Sequence, residues 1–350
     1  MKIGKRDINI VNPPFIIAEL SANHNNDIRR ALKLIDEAKR AGADAVKIQT
    51  YTADSITLNS KNKFFKITDK NSLWYNRYLY DLYKEGSMPW NWHNEIFSYA
   101  RKKEIICFSS PFDETAVNFL KKLNVPAYKI ASFENQHYPM INKIINFKKP
   151  SIVSLGATKY NEILSLIRFF KKKKYKNFSL LKCTSSYPAP VNESNLKTIL
   201  DLRKKFRVEI GLSDHTPGIG VAIAAIANKA TIIEKHFTLN KSDGGLDDIF
   251  SISPDELNNL VIEGKRAWQS IGKIQYNISK SEKKSLQFKR SIFASKKIKK
   301  GEKFSKHNIK VVRPNHGLTP NYYEKILGKT CIKEIDFAHP ITKKNVKNLK

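Results

Sequence analysis

Eight short runs of β-branched and apolar residues recur along the first 240 positions of the chain, and helix-like segments separate them. Strands that alternate with helices over roughly 250 residues are typical of a closed parallel β/α barrel. We therefore predict an α/β fold, a (β/α)8 TIM barrel. Its strands should lie at 15–20, 45–51, 105–110, 127–132, 151–156, 178–185, 209–214 and 231–237.

The alternation stops after Trp268. A polar connector follows, and from about Ser285 the chain consists of short strand-like segments with turns, a short helix at YYEKILGK and a final strand-like CIKEIDFAHPI. This predicts a small mainly-β domain, which should dock against a barrel because so few residues bury little core. The predicted boundaries are 1–272 for the barrel, 273–284 for the linker and 285–350 for the small domain.

Composition excludes several classes of protein. Hydrophobic residues make up 41% of the chain, but no apolar run reaches the length of a membrane span, and the N-terminus lacks the pattern of a signal peptide. The three cysteines, Cys107, Cys183 and Cys331, have no CxxC spacing and favour reduced thiols in a reducing compartment. We expect a cytoplasmic protein with no membrane partner.

The net charge of +31 has three possible origins. It could reflect a generally lysine-rich composition, attraction of small anionic substrates, or binding to a nucleic-acid backbone. Lysines are scattered over the whole length, and the densest run, at 171–174, lies in a predicted helix-to-strand connection. This dispersal favours the first origin, and we expect no nucleic-acid partner.

Polar side chains concentrate at the C-terminal ends of the predicted strands, which is the face where β/α barrels build their sites. A lysine within an apolar run needs an anionic partner, and lysines with hydroxyls suit a phosphate or a phosphate-plus-carboxylate ligand. This face should carry Glu19, Lys47, Gln49, Ser109, Ser110, Lys129, Ser132, Glu134, Ser154, Thr184, Ser185, His215, Glu234 and His236.

Two histidines stand out at the ends of the last two predicted strands. His215 and His236 each follow a short β-branched run, so both imidazoles should reach one rim of the barrel. Two neutral imidazoles are a good ligand set for a borderline divalent metal, with carboxylates and water completing the shell. A histidine at a strand end can also be an ordinary hydrogen-bonded polar residue, so the pattern alone leaves both interpretations open.

The loop after the second predicted strand is long, from about Asp54 to Pro89, and rich in aromatic residues. On the site face it could form a lid or a wall that stacks on a sugar; alternatively it could be a small cluster that packs on itself. The sequence does not separate these two possibilities.

A series of motifs, in order along nearly the whole chain, resembles the sialic acid synthases, and most closely their pseudaminic acid synthase branch. The loop motifs SANHN and GGLDDIFS differ from the GxNHxG and GPDHxAS forms of the N-acetylneuraminate and legionaminate branches. Serine at 110 and 185 and SLG after Val153 are mild departures from the family pattern. The matching motifs are FIIAELSANHN, GADAVKIQTY, FSSPFD, YKIASFE, KCTSSYPAP, GLSDHTPG, EKHFTL, GGLDDIFSISPDEL, IKKGE and VVRPNHGLTP.

The resemblance implies a barrel joined to a C-terminal antifreeze-like (SAF) domain, which has a β-clip fold. It also implies a domain-swapped homodimer, in which each small domain reaches over the partner's active site. The reaction would condense phosphoenolpyruvate with an acylated amino sugar in its open aldehyde form, giving a nine-carbon 2-keto acid and phosphate. In this branch the sugar is 2,4-diacetamido-2,4,6-trideoxy-L-altrose. A divalent metal is implied, typically Mn²⁺, with Mg²⁺ or Co²⁺ as alternatives.

Residue roles are implied by the same resemblance. Glu19 would stabilise the cationic centre that forms at C2 and help water attack it, and Asp247 is a second candidate base. The metal would be held by His215 and His236. Phosphoenolpyruvate would be bound by Lys47, Ser110, Lys129, Ser132, Ser154, Ser185 and Ser213. The sugar would contact Gln49, Glu134, Tyr187 and Asp247, with Arg313 of the other chain and Phe288.

Two other functions remain open at this stage. One is a synthase with the same chemistry and a different sugar, giving N-acetylneuraminate or legionaminate. The other is a non-catalytic barrel that binds carbohydrate or nucleic acid. The sequence argues against the non-catalytic barrel, because it keeps all of the charged and imidazole side chains that the chemistry needs. These are Glu19, Lys47, Lys129, His215 and His236.

Overall fold

The computed structural model of the protein describes residues 1–349. The chain divides into two compact units, the first from Met1 to Gly272 and the second from Lys273 onward. No helix within residues 1–349 combines the length and the apolar character that a bilayer crossing requires.

The first unit is a closed barrel of eight parallel strands. A small antiparallel hairpin, β1 (Lys2–Ile3) and β2 (Arg6–Asp7), precedes it, and the last barrel strand pairs with the first. The predicted (β/α)8 fold is therefore confirmed, with strand ends within a few residues of expectation. The barrel strands are β3 (Phe15–Glu19), β4 (Ala45–Thr50), β5 (Ile106–Pro111), β6 (Tyr128–Ile130), β7 (Ser151–Ser154), β8 (Phe178–Cys183), β9 (Glu209–Asp214) and β10 (Ile232–His236).

Alternation along each strand separates two hydrophobic cores. In β3, Phe15 and Ile17 point into the barrel, whereas Ile16 and Ala18 pack outward against the helices. Ile3 of the hairpin belongs to the same interior core as Phe15. Because successive strand residues point to opposite faces, the alternation that buries Phe15 and Ile17 also turns the last residue of β3 into the interior.

The helices cover the barrel through amphipathic faces. In α1 (Ile28–Arg40) the buried residues Ala31, Leu34, Ile35 and Ala38 follow the helical period, and the side chain of Asp27 caps the first turn. The other helices of this unit are α2 (Ala53–Ile56), α3 (Leu79–Gly86), α4 (His93–Lys102), α5 (Glu114–Lys122), α6 (Tyr138–Asn146), α7 (Tyr160–Lys172), α8 (Lys197–Phe206), α9 (Gly220–Ala227) and α10 (Pro254–Ser270).

The second unit is small and has its own apolar core, which includes Ile292, Phe304 and Ile326. It contains strands β11 (Ser291–Ala294) and β12 (Ile309–Val312) and helix α11 (Tyr323–Ile326). The predicted final strand in CIKEIDFAHPI is wrong as a regular strand, since the structure has only isolated bridges there. The left-handed φ of 61° at Ala338 and the missing N–H of Pro340 interrupt a continuous ladder.

Candidate active site

Two lysines and two glutamates form the floor of the site at the C-terminal ends of four strands. Lys47 of β4 forms an ion pair with Glu19 of β3, and its Nζ lies 3.7 Å from Oε1 of Glu234 in β10. Lys129 of β6 lies 3.5 Å from the same oxygen. All four residues are buried, so each charge depends on its partners rather than on water.

Serine hydroxyls extend this charged floor. Lys47 donates to the Ser110 hydroxyl at 3.0 Å, and Lys129 donates to the Ser154 hydroxyl at 2.7 Å. Each ammonium therefore has a neutral partner that an incoming anion can replace. The two lysines that the sequence predicted to bind an anionic ligand therefore contact two of the predicted serine hydroxyls directly.

The two glutamates of the floor have opposite pKa shifts. Burial raises the pKa of Glu19, although Lys47 opposes the shift. Burial also acts to raise the pKa of Glu234, but Lys129 and Lys47 outweigh it and leave the pKa below its ordinary value. The Ser213 hydroxyl assists by donating to Oε1 of Glu234 at 3.3 Å. Glu234 is therefore the stable anion of the pair, and Glu19 is the carboxylate that takes up a proton more readily.

Gly156 lies in a close-packed cradle next to the floor. A Cβ atom at this position would lie 2.0 Å from the Ser185 hydroxyl and 2.7 Å from the Ser132 hydroxyl. The backbone N–H of Gly156 already donates to Ser132 at 3.1 Å. Only glycine leaves these two hydroxyls room to face an anion.

The two histidines lie side by side, with ring centroids 5.4 Å apart. His215 donates its Nδ1–H to the Thr184 carbonyl at 2.9 Å, so in the neutral ring the lone pair is on Nε2. Burial holds the pKa of His236 well below its usual range, so this imidazole is neutral, and its buried Nδ1 has no hydrogen-bond partner. The Tyr187 ring packs 4.3 Å from the His215 ring.

This pair of imidazoles fits a divalent metal. Each ring has a nitrogen free to act as a ligand, and His236 is held neutral as a ligand must be. No cluster of three or more histidine, cysteine, aspartate or glutamate side chains with metal-binding geometry occurs within residues 1–349. The protein would therefore supply two nitrogen ligands, and oxygen atoms of water and substrate would fill the remaining positions.

Asp247 lies beside the two histidines at the edge of the site. Its Oδ2 lies 3.8 Å from Nδ1 of His236 and accepts a 2.5 Å hydrogen bond from the Ser21 hydroxyl. Gln49 donates to the same hydroxyl at 3.0 Å. Burial raises the pKa of Asp247, and Ser21 opposes the shift. The carboxylate is therefore held next to the histidines by Ser21 and Gln49.

A cavity of about 560 Å³ opens above this group, with Gln49, Glu134, Tyr187, His236 and Asp247 in its lining. Burial raises the pKa of Glu134 to about 7, and its Oε2 is enclosed without a hydrogen-bond partner. A volume of this size accommodates a modified monosaccharide together with a three-carbon acid.

The long aromatic loop forms one wall of the cavity. Trp74 donates from Nε1 to the Leu246 carbonyl at 3.3 Å, and its ring lies 6.0 Å from the Tyr187 ring. Tyr51 and Tyr83 line the same side. Of the two possibilities left open by the sequence, the structure therefore favours the wall over a separate cluster.

Residues 34–276 match the NeuB family, and residues 289–347 match the SAF domain. The chain belongs to the NeuB family. The first match covers most of the barrel, and the second covers the small second unit whose fold the sequence predicted.

Relatives of the family extend over nearly the full chain. A pseudaminic acid synthase of Campylobacter jejuni subsp. jejuni (strain 81-176) is 45% identical over 97% of each chain. That of Helicobacter pylori is 40% identical, over 95% of this chain and 98% of its own. The crystal structure of N-acetylneuraminic acid (sialic acid) synthetase from Leptospira borgpetersenii has 33% identity and a TM-score of 0.72, covering 82% of this chain and 95% of its own.

Two predicted sugar contacts of this NeuB-family chain lie outside the cavity lining. Phe288 and Arg313 belong to the second unit, and both are exposed. The roles of Phe288 and Arg313 therefore remain predictions about a second copy of the chain.

The expectation that Ser109 and the Thr184 side chain face the site is wrong. Ser109 hydrogen-bonds to Thr50 on the helix side of the barrel wall, because it alternates with the inward Phe108, and the Thr184 hydroxyl donates to the Glu193 carbonyl. The remaining predicted residues line the cavity or lie at the charged floor, the cradle or the histidine pair.

Sequence reasoning assigned no role to several residues that complete this family site. Glu234 was expected on the site face but without a role, although the period of two turns it to the same side as His236, toward the two lysines. Ser21 and Gly156 gave no such signal, because their contacts come from loops that close only in three dimensions.

Proposed function

We propose that this chain is a pseudaminic acid synthase. It would join phosphoenolpyruvate to 2,4-diacetamido-2,4,6-trideoxy-L-altrose and release phosphate and a nine-carbon 2-keto acid. The observation that carries the proposal is a buried floor of two lysines and two glutamates beside two paired histidines, in a chain 45% identical to a pseudaminic acid synthase over 97% of its length.

Phosphoenolpyruvate would bind over the floor and the cradle. Its anionic groups would replace the serine partners of Lys47 and Lys129 and gain charge-assisted hydrogen bonds in a site without bulk water. The remaining hydroxyls at this position come from Ser132, Ser185 and Ser213. Ser132 and Ser185 lie around Gly156, and Ser213 contacts Glu234 of the floor; together they support recognition of a tetrahedral phosphate by several donors.

His215 and His236 would hold a divalent cation, for which Mn²⁺ is our first choice and Mg²⁺ or Co²⁺ the alternatives. When bound, such an ion supplies Lewis-acid polarisation of the sugar aldehyde oxygen. The hydrogen bond from His215 to Thr184 fixes the ring orientation, and Asp247 would accept a hydrogen bond from water or from a sugar hydroxyl next to His236.

Glu19 is the residue that we assign to the reacting centre. Attack of C3 of phosphoenolpyruvate on the aldehyde leaves positive charge at C2, which a buried carboxylate stabilises strongly. Glu19 would then accept a proton from the water that adds to C2, since burial has already raised its pKa. Loss of phosphate from the tetrahedral product would complete the turnover.

The sugar would lie in the cavity against the aromatic wall. Gln49 and Glu134 offer polar partners to the sugar hydroxyl and amide groups, and Tyr187 packs beside the metal-binding histidines. Trp74, Tyr51 and the other apolar residues of the wall favour a sugar with methyl and acetamido groups over one with more hydroxyls.

A second copy of the chain would cover the mouth of the barrel and supply Arg313 and Phe288 to the sugar. Three exposed apolar residues in the barrel unit support such a cover: Phe64 is 79% exposed, Phe133 69% and Ile249 66%. The arrangement is a domain-swapped homodimer with domains at 1–272 and 285–350 and a linker at 273–284. Free buried cysteines agree with the cytoplasm as the compartment.

The runner-up is the same chemistry with another sugar. The sialic acid synthetase of Leptospira borgpetersenii shares the fold at 33% identity. For such a sugar, the floor, the cradle and the two histidines of this chain would keep the roles proposed above. The lower identity and the apolar wall favour the pseudaminate branch for this chain.

The proposal is tested by phosphate release from phosphoenolpyruvate in the presence of the altrose sugar and Mn²⁺. Release should require the sugar and should fall at least a hundredfold in Glu19→Gln, which keeps the size and removes the charge. The exposed glutamate of α4 provides the control, and Glu95→Gln should keep full activity. Equal rates in all three proteins would contradict the role of Glu19.

A further inference from the structure

Lys235 and Asp214 form a buried ion pair on the outer side of the barrel wall, away from the cavity. Their side chains are each 1% exposed, and Lys235 Nζ lies 2.8 Å from Asp214 Oδ2. They face each other in register across β9 and β10, in the last recorded pair of that ladder. The mechanism proposed above uses neither residue.

The pair also holds the turn after β9. Lys235 Nζ donates to the Thr216 carbonyl at 2.7 Å. The other oxygen of Asp214 accepts from the backbone N–H of Thr216 at 3.0 Å and from its hydroxyl at 2.8 Å. Four hydrogen bonds therefore join three side chains and one turn into a closed network.

The residues of this network flank both histidines in the sequence. His215 lies between Asp214 and Thr216, and His236 directly follows Lys235. Neighbouring strand residues point to opposite faces of a sheet. Because the side chains of Asp214 and Lys235 point outward, those of the next residues, His215 and His236, point into the barrel.

The Lys235–Asp214 bridge joins β9 to β10 at their last ladder pair, one residue before each histidine. Other strands and loops also hold the histidines, since His236 is in register with Glu19 of β3 and the His215 carbonyl accepts from the Ala189 N–H. The bridge is the side-chain contact that links the two histidine-bearing strands to each other.

Stability alone does not explain a fully buried charge pair. Replacing such a pair by apolar residues is often neutral or stabilising, because desolvation offsets the attraction between the charges. A pair next to two candidate ligands has a separate effect, since metal affinity depends on how closely the ligands are pre-arranged.

We propose that Lys235 and Asp214 are positioning residues that hold His215 and His236 at the spacing a divalent metal requires. The inference rests on the proposed metal site and deepens it. The pair touches neither metal nor substrate and acts through the backbone of the two strands.

The test compares Mn²⁺ binding to the full chain with binding to the double variant Asp214→Asn/Lys235→Met, which removes both charges and nearly keeps the volume. Free Mn²⁺ is measured by electron paramagnetic resonance during titration, without substrates. We expect the Kd of the variant to rise about 10- to 100-fold, the range for residues that orient metal ligands. Saturating Mn²⁺ should restore most of kcat and leave the KM for phosphoenolpyruvate unchanged.

A second ion pair, less deeply buried, lies at the opposite end of the same strand and serves as the control. Arg203 pairs with Glu209 at 3.0 Å, where β9 begins, and the variant Arg203→Met/Glu209→Gln should bind Mn²⁺ as the parent does. Thr216→Val removes only the hydroxyl bond to Asp214, and it serves as a milder variant if the double variant does not fold. It should weaken Mn²⁺ binding in the same direction, by a smaller factor.

The outcomes separate the inference from the proposed function. If the parent binds Mn²⁺ and His215→Ala does not, but the double variant (or Thr216→Val in its place) binds like the parent, the positioning role is wrong and the metal site stands. A lower melting temperature with unchanged Kd would likewise assign the pair to stability alone. If the parent itself binds no Mn²⁺, the metal site fails and the inference fails with it.

Discussion

Replacing Glu134 by glutamine should stabilise the protein at alkaline pH and have little effect at acidic pH. Burial raises the pKa of Glu134 from 4.5 to about 7, so the folded chain retains a proton that the unfolded chain has lost. Between these two pH values the folded state binds more protons, and the free energy of unfolding therefore falls as the pH rises. Glutamine has no proton to lose, and its side-chain shape is nearly the same.

The magnitude follows from the pKa difference. A change from 4.5 to about 7 corresponds to roughly 3 kcal/mol at pH 8, where the carboxylate is charged in both states. The residue is partly exposed and water screens part of this cost, so we expect Glu134→Gln to gain about 1–3 kcal/mol at pH 8. At pH 4.5 and below, the two proteins should be equally stable within about 0.5 kcal/mol.

The assay is urea unfolding of both proteins at pH 4.5, 6 and 8, with the exposed Glu95→Gln as control. All other titrating groups are shared, so the difference between parent and variant isolates Glu134. A stability difference that does not change with pH, or a variant less stable at pH 8, would refute the buried-carboxyl argument. The same result would show that burial in the cavity lining does not raise the pKa of Glu134.

Three further predictions concern phosphoenolpyruvate. Lys129→Met should weaken its binding about 30-fold or more, because the ligand loses a buried charge partner. Calorimetry measures the Kd, and an unchanged Kd would exclude Lys129 from the site. Gly156→Ala should also weaken binding, by at least about tenfold, because the new methyl group occupies the space between Ser132 and Ser185. The circular dichroism spectrum of the variant should be unchanged, and normal affinity for phosphoenolpyruvate would show that the cradle holds no anion. Phosphoenolpyruvate should bind with proton uptake, since its negative charge further raises the pKa of Glu19. Calorimetry in two buffers of different ionisation enthalpy detects the proton, and identical binding heats in both buffers would contradict the proton uptake.

Much of the fold and site could be predicted from the sequence because parallel barrels tie function to strand ends. The period of two turned Glu19, Lys47 and Lys129 inward, and the repeat length brought them to one face. Their mutual contacts were therefore predictable as a group.

Features that depend on loop closure were not predictable. Trp74 is distant in sequence from Leu246, and only the folded loop brings its indole N–H to that carbonyl. The cradle around Gly156 depends on hydroxyls from two other strand ends. The last strand-like segment of the second unit had the right composition, but the backbone at Ala338 and Pro340 prevents a ladder.

The most direct test of the proposed function is turnover of phosphoenolpyruvate and Mn²⁺ with three sugars in parallel. These are 2,4-diacetamido-2,4,6-trideoxy-L-altrose, the corresponding precursor of legionaminate, and N-acetylmannosamine, with phosphate release and product mass as readouts. We predict a nine-carbon 2-keto acid from the altrose sugar alone. Turnover of another sugar in its place would contradict the pseudaminate assignment, and no turnover with any sugar in a folded, metal-loaded protein would contradict the synthase chemistry itself.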